Sequence, residues 1–322
     1  MARRHLIPLS RPLALVVPAI LALLAAAPSF AQGEAPYTVV ETGRHFARLQ
    51  DAVDAIGGGT GTIRIASGRF ADCAVQERGD VFYTAAVPGQ TTLGGNACED
   101  KAALVLRGRS ARIEGLAFAD MKSSDGNGAG IRLEQGNLAV AQAWFRDSQQ
   151  GILTAGDPAG TITIDKSTFT RLGTCEFSGG CAHSLYIGDY GALTVTRSRF
   201  EQGRGGHYVK SRAARVAILD SSFDDSGGQY TNYMIDLPNG ATGRIAGNWM
   251  VQGRHKENYS AFIAVASEGK AHSSAGLTIA DNDARFVPGL SRHSAFVADW
   301  SGDVLAIGAN TLGAGLTRFE QR

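Results

Sequence analysis

A histidine, a tyrosine and a lysine fall within four residues, His207-Tyr208-Val209-Lys210, directly behind the glycine-rich run GRGG at 203–206. Glycines ahead of Lys210 and Ser211 suggest a phosphate loop. That loop needs glycine immediately before its lysine, so that backbone N–H groups can wrap the anion, and Val209 stands there instead. The chemistry on offer is acid–base chemistry. His207 or Tyr208 could move a proton, Lys210 beside Arg212 could serve as a base of lowered pKa, and Arg212 could grip a carboxylate at two points. Plainer readings exist for the same residues. Lys210 could pair with Asp236, His207 could be a hydrogen-bonded core residue, and the glycines could serve only a tight turn.

Which reading holds depends on the elements that carry these residues, and those elements repeat. Phe118, Phe145, Phe169, Phe200 and Phe223 each follow a pair of apolar residues placed seven and five positions earlier, such as Leu193 and Val195 before Phe200. The unit continues, degraded, at Met250, Ala284 and Leu312, and fits upstream at Phe70. Apolar pairs at period two mean strands, and variable spacing filled with Gly, Asn and Ser means turns. Two residues before the anchors stand Ser167, Ser198, Ser221, Asn248, Asn282 and Asn310. Side chains of this kind can form hydrogen-bonded ladders at the turns of a solenoid.

A second short strand follows each anchor: GIRL 130–133, GILT 151–154, LYIG 185–188, YVKS 208–211, MIDL 234–237, FIAV 262–265 and FVAD 296–299. Coils of two or three strands stacked about 4.8 Å apart make a parallel β-helix with an apolar column inside. Residues 45–56, HFARLQDAVDAI, carry Phe46, Leu49, Val53 and Ile56 at helical spacing and would close the open end. The expected fold is all-β: one right-handed parallel β-helix of about eight or nine coils over 60–316 within a domain 32–322, capped by a short helix.

Those features, the FARLQDAVDAI cap, the TIRIASGRF first rung and the V-x-I-x-x-S-x-F rungs, resemble the pectate-lyase-like superfamily of parallel β-helix proteins over residues 38–316. The resemblance implies a carbohydrate-related role without fixing the reaction, because the superfamily spans lyases, hydrolases, epimerases, adhesins and tailspikes. Aligning Ile187, Val209 and Ile235 as inward residues puts Tyr186, Tyr208 and Met234 in one outward row. Gly188, Lys210 and Asp236 then form the next, with Tyr190 and Arg212 beyond. His183, His207, Tyr233 and Asn239 flank the same three coils. Tyrosines stack on sugar faces, and Lys, Arg and Asn hold carboxylates or hydroxyls. The expectation is a lyase that cleaves a uronate-containing polysaccharide by β-elimination. Its catalytic candidates are Lys210, Tyr208, His207 and His183; its substrate-binding candidates are Tyr186, Arg212, Asp236, Asn239 and Tyr233. The alternatives are a non-catalytic carbohydrate-binding or surface solenoid, and a hydrolase or epimerase on the same fold. The polygalacturonase and D-P-H-D epimerase motifs of the superfamily are missing.

The remaining features narrow the setting. Arg3, Arg4 and Arg11, the apolar run Leu13–Ala27, and small residues Ser29 and Ala31 read as a signal peptide, 1–31, cut near Ala31/Gln32. The expected product is periplasmic or secreted, with no membrane span and acting as a monomer. Removing the leader takes away three arginines and no acid, leaving 28 basic against 30 acidic residues. That near-neutral balance gives no electrostatic case for nucleic acid as a partner, and none is expected. Four cysteines in an exported chain suggest disulfides, paired by proximity as Cys73–Cys98 and Cys175–Cys181. No cofactor is expected. Calcium at Asp220, Asp224 and Asp225 is the one metal site the sequence offers.

Overall fold

A computed structural model describes residues 1–2, 35–177 and 180–322. The expected leader lies almost entirely outside them. From Thr60 onward the chain winds through three parallel sheets. Sheet 1 has twelve strands, including the N-terminal antiparallel pair Tyr37–Val39 and Arg44–Phe46. Sheets 2 and 3 have ten strands each, running from Gly68–Phe70 to Thr311–Leu312 and from Ala74–Gln76 to Leu316–Gln321. The architecture is the right-handed parallel β-helix that the repeat implies. Among the described residues, no helix is long and apolar enough to cross a membrane.

The anchors lie on sheet 2 and form the core. Phe118, Phe145, Phe169, Phe200 and Phe223 are fully buried and stack ring on ring, with centroids 4.6–5.0 Å apart and planes within 3–11° of parallel. A Cβ on Gly130 or Gly151 would come within 2.7 or 2.9 Å of the rings of Phe145 or Phe169, so glycine is required beside the pile. Further along, the sheet 2 column shrinks to Met250 and Ala284, while the residue at the glycine position grows to Phe262 and Phe296. Volume is thus conserved from coil to coil.

The corner between sheets 1 and 2 explains the Ser/Asn column. One residue at each corner is left-handed: Gln142, Lys166, Arg197, Asp220 and Asp281 have φ of 48–59°. The next residue's N–H then points along the solenoid axis, where a side-chain oxygen from the following coil receives it. Ser167 N–H donates to Ser198 Oγ, Ser198 to Ser221 Oγ, Ser221 to Asn248 Oδ1, Asn248 to Asn282 Oδ1 and Asn282 to Asn310 Oδ1, all at 3.0–3.2 Å. These bonds satisfy buried donors that have no backbone partner.

The cap helix is shorter than expected. It spans Leu49–Ile56, buries Leu49, Ala52 and Val53 over the first coil, and donates its Leu49 N–H to Asp72 Oδ2 at 2.8 Å. Phe46 belongs instead to the strand Arg44–Phe46, because pairing with Tyr37–Val39 satisfies that backbone. Both expected disulfides, Cys73–Cys98 and Cys175–Cys181, are present.

Candidate active site

The chemistry-bearing residues meet on the solvent side of sheet 3. Each sheet 3 strand enters through a bend at which two consecutive residues point inward. Ser184 and Leu185, Tyr208 and Val209, and Met234 and Ile235 are such pairs, and all six are buried. This bend corrects the register expected from alternation. Leu185, not Ile187, aligns with Val209 and Ile235, and Tyr186, Lys210 and Asp236 form one outward row. Gly188 stands beside Arg212 rather than Lys210. Tyr190 begins a sheet 1 strand and is wholly buried, so it lines no groove.

Tyr208 is therefore not on the surface. Its ring is in the core, and its hydroxyl donates to Asp225 Oδ1 at 2.8 Å and accepts the Gly203 N–H at 3.1 Å. Burial, with Asp225 beside it, pushes its pKa well above the tyrosine range. A surface proton donor is thus replaced by a structural one. Asp225 also accepts Thr231 Oγ1–H at 2.7 Å and pairs with buried Lys256 at 3.1 Å. Its carboxylate faces this internal cation, so Asp220, Asp224 and Asp225 do not converge on a calcium site. Among the described residues, no group of three acidic, His or Cys side chains could hold a metal.

Outside the sheet, four rings follow one another: Tyr186, His183, His207 and Tyr233, with centroids 5.0–5.5 Å apart at each step. His183 Nδ1 accepts the backbone N–H of His207 at 3.0 Å, so its neutral ring carries the proton on Nε2 and acts as a donor. Burial first, and then Lys210, lowers its pKa to about 3. His207 Nε2 lies 3.5 Å from Asp236 Oδ2, while its Nδ1 is buried with no hydrogen-bond partner among the described residues. Burial, reinforced by His183 and Lys210, holds His207 neutral.

Asp236 is 1% exposed and receives the Ser267 hydroxyl at 3.0 Å. Burial raises its pKa to about 6, against the pull of Lys210, whose Nζ is 3.5 Å away. Lys210 also binds Glu268 Oε1 at 2.5 Å. Arg212 is held on three sides: Nε donates to Tyr186 Oη at 3.1 Å, one terminal nitrogen donates to Asn239 Oδ1 at 2.5 Å, and the other pairs with Glu268 Oε2. Burial alone would raise the Glu268 pKa, but its bonds to Lys210 and Arg212 dominate and lower it.

Every expected site residue except Tyr208 is thus gathered here. Glu268 and Ser267 escaped the sequence reading, although extending the alignment one coil would have found them. Ile263 pairs with Ile235, which carries the turn after Val265 over Asp236. A separate cavity of about 700 Å³ is lined by Lys122, Gln149, Phe177, Arg204 and Tyr230 among others, and does not contain the His207–Asp236–Lys210 cluster. Tyr230 is 67% exposed there with φ of 54°, an unfavourable backbone state for an aromatic residue.

With the geometry in place, similarity to known proteins adds one thing. Two solved structures, both of the pectin methylesterase from Aspergillus niger in deglycosylated forms, superpose with a TM-score of 0.51 at 12% identity. They cover 90% and 92% of this chain and 87% and 91% of theirs. The likeness is one of fold. No protein-family model and no curated protein sequence matches the chain.

Proposed function

We propose that the protein is an exported enzyme acting on an acidic polysaccharide, and that it cleaves a uronate chain by β-elimination. The observation that carries this reading is the convergence, on one outward face, of two cations, a ring pile and a His–Asp pair. Arg212 and Lys210 neutralise the uronate carboxylate, which acidifies the adjacent C5 proton. His207, a neutral ring oriented by Asp236, takes that proton, and Asp236 steadies the imidazolium. The C4–O bond breaks, a C4–C5 double bond forms, and the Lys210 ammonium protonates the leaving oxygen. His183 Nε2–H, Tyr186 and Tyr233 bind sugar hydroxyls and faces. Two disulfides and the leader-like N-terminus support an oxidising, extracytoplasmic compartment.

Ester hydrolysis is the second reading. It is favoured by Asp236, whose carboxyl titrates near pH 6 between Lys210 and His207, and by the name printed for the two structural neighbours. One screen separates the readings. The protein is incubated with uronate polymers, methyl-esterified and free. Ultraviolet absorbance from conjugated unsaturated ends supports elimination, and released methanol supports ester hydrolysis. New reducing ends without absorbance mean glycoside hydrolysis. Saturable binding with no product means a carbohydrate-binding solenoid and overturns the enzymatic reading.

A further inference from the structure

The turn after the strand Ala261–Val265 crosses the candidate site. Ala266 is left-handed, with φ of 58°, and redirects the chain over Asp236. The N–H groups of Glu268 and Gly269 both donate to Pro238 O at 2.9 Å, and His272 N–H donates to Asn239 O at 2.9 Å. This strap is therefore pinned by its backbone. The Glu268 side chain has another place: it reaches back to bridge Lys210 and Arg212 while remaining 44% exposed.

The two cations do not need Glu268 to keep their positions. Arg212 is fixed by Tyr186 and Asn239, and Lys210 faces Asp236 beneath it. What remains of each points at one spot, and that spot holds a carboxylate. Lys210 is buried and Arg212 mostly so, but each keeps other partners without the half-exposed Glu268, so holding the cations in place gives no reason for its geometry. Ligand recognition does, because an ammonium and a guanidinium edge meeting one carboxylate make a specific receptor for that group.

We propose that Lys210 and Arg212 form a carboxylate subsite for a uronate residue and that Glu268 is its built-in plug, which the ligand displaces. The proposal rests on the acidic-polysaccharide reading above and names the group recognised. Glu268 stays ionised at ordinary pH, so acidification does not open the subsite; a competing carboxylate does. In wild type, apparent affinity is reduced by the fraction of molecules with the plug in place.

The test is calorimetric titration with a galacturonate trimer and, as control, the neutral galactose trimer. Glu268→Gln removes the charge and keeps the shape; Glu268→Asp is too short to span both cations. If the subsite is open in about one molecule in ten, Glu268→Gln should bind the acidic trimer about tenfold tighter, with no gain for the neutral one. Glu268→Asp should fall between. Arg212→Lys added to Glu268→Gln should erase the gain. Melting temperatures should fall by no more than a few degrees, because the buried Lys210 keeps Asp236 as its partner. Unchanged or weaker acidic-trimer binding in the folded Glu268→Gln and Glu268→Asp proteins overturns the plug. The two readings fail separately. A tenfold gain without turnover of any polymer keeps the subsite and removes the enzyme; turnover without the gain removes the plug and keeps the enzyme.

Discussion

Replacing Tyr208 by phenylalanine asks whether the most conspicuous motif in the chain is chemical or structural. The substitution deletes one oxygen from a wholly buried ring. That oxygen donates to the Asp225 carboxylate at 2.8 Å and accepts the Gly203 N–H at 3.1 Å. A hydrogen bond to a charged group contributes about 1.5–3 kcal/mol, and a buried N–H left without a partner costs about 1–3 kcal/mol. The two losses share one cavity and do not add fully, so about 3 kcal/mol is expected. For a domain of this size that is a fall in melting temperature of about 6–12 °C. Thermal unfolding followed by circular dichroism, alongside turnover per folded molecule at a temperature where both proteins are native, is the assay. Turnover should be unchanged. A native melting temperature with activity lost would refute the structural assignment and return Tyr208 to the catalytic list.

Further consequences can be checked with the same instruments. Lys256→Met strands the buried Asp225 charge and should destabilise by about 3–5 kcal/mol, while adding Asp225→Asn should recover much of it. Ser221→Ala removes the acceptor for the Ser198 N–H and should cost about 1–2 kcal/mol by denaturant titration. The pH dependence of stability has opposing parts. His183 and His207 have lowered pKa values, so their contribution is present above pH 6.5 and is lost as pH falls below it, for His183 toward about 3. Asp236 is raised to about 6, so its contribution is present below 3.8 and is lost as pH rises through 6. Two histidines outweigh one aspartate, so these three groups together should raise the melting temperature from pH 4 to 6.5, and Asp236→Asn should steepen that rise. A rise that Asp236→Asn flattens would contradict the assignment.

The fold was legible because its determinants are local and repeated. The Phe pile and the Ser/Asn ladder recur in the sequence as they recur in space, and one left-handed residue per corner sets both. Leu93, which takes the anchor place between Phe70 and Phe118, lacks the ring and so escaped the pattern. The site was only half legible. Strict alternation sends Tyr208 and Met234 outward, but the bend into each sheet 3 strand turns two successive side chains inward, and a period-two reading has no signal for that. Lys210 and Arg212 kept their outward places because they follow the inward pair, whereas His207, two residues before Val209, is moved from the inward place that alternation gives it to the ring pile outside the sheet. Glu268 was missed because the alignment stopped one coil short, and Lys256 because it meets Asp225 across turns of unequal length, which no fixed spacing reveals.

The central claim is that the His207–Asp236 pair beneath the Lys210–Arg212 cations performs elimination on a uronate polymer. The most direct measurement is the initial rate of ultraviolet absorbance from unsaturated ends, for wild type and for His207→Gln, with the melting temperature of each recorded beside it. Wild type should show a steady rise, and His207→Gln a loss of roughly a hundredfold or more at a near-native melting temperature. A His207→Gln protein that cleaves at the wild-type rate, or a wild type that makes no unsaturated product from any uronate polymer, would contradict it.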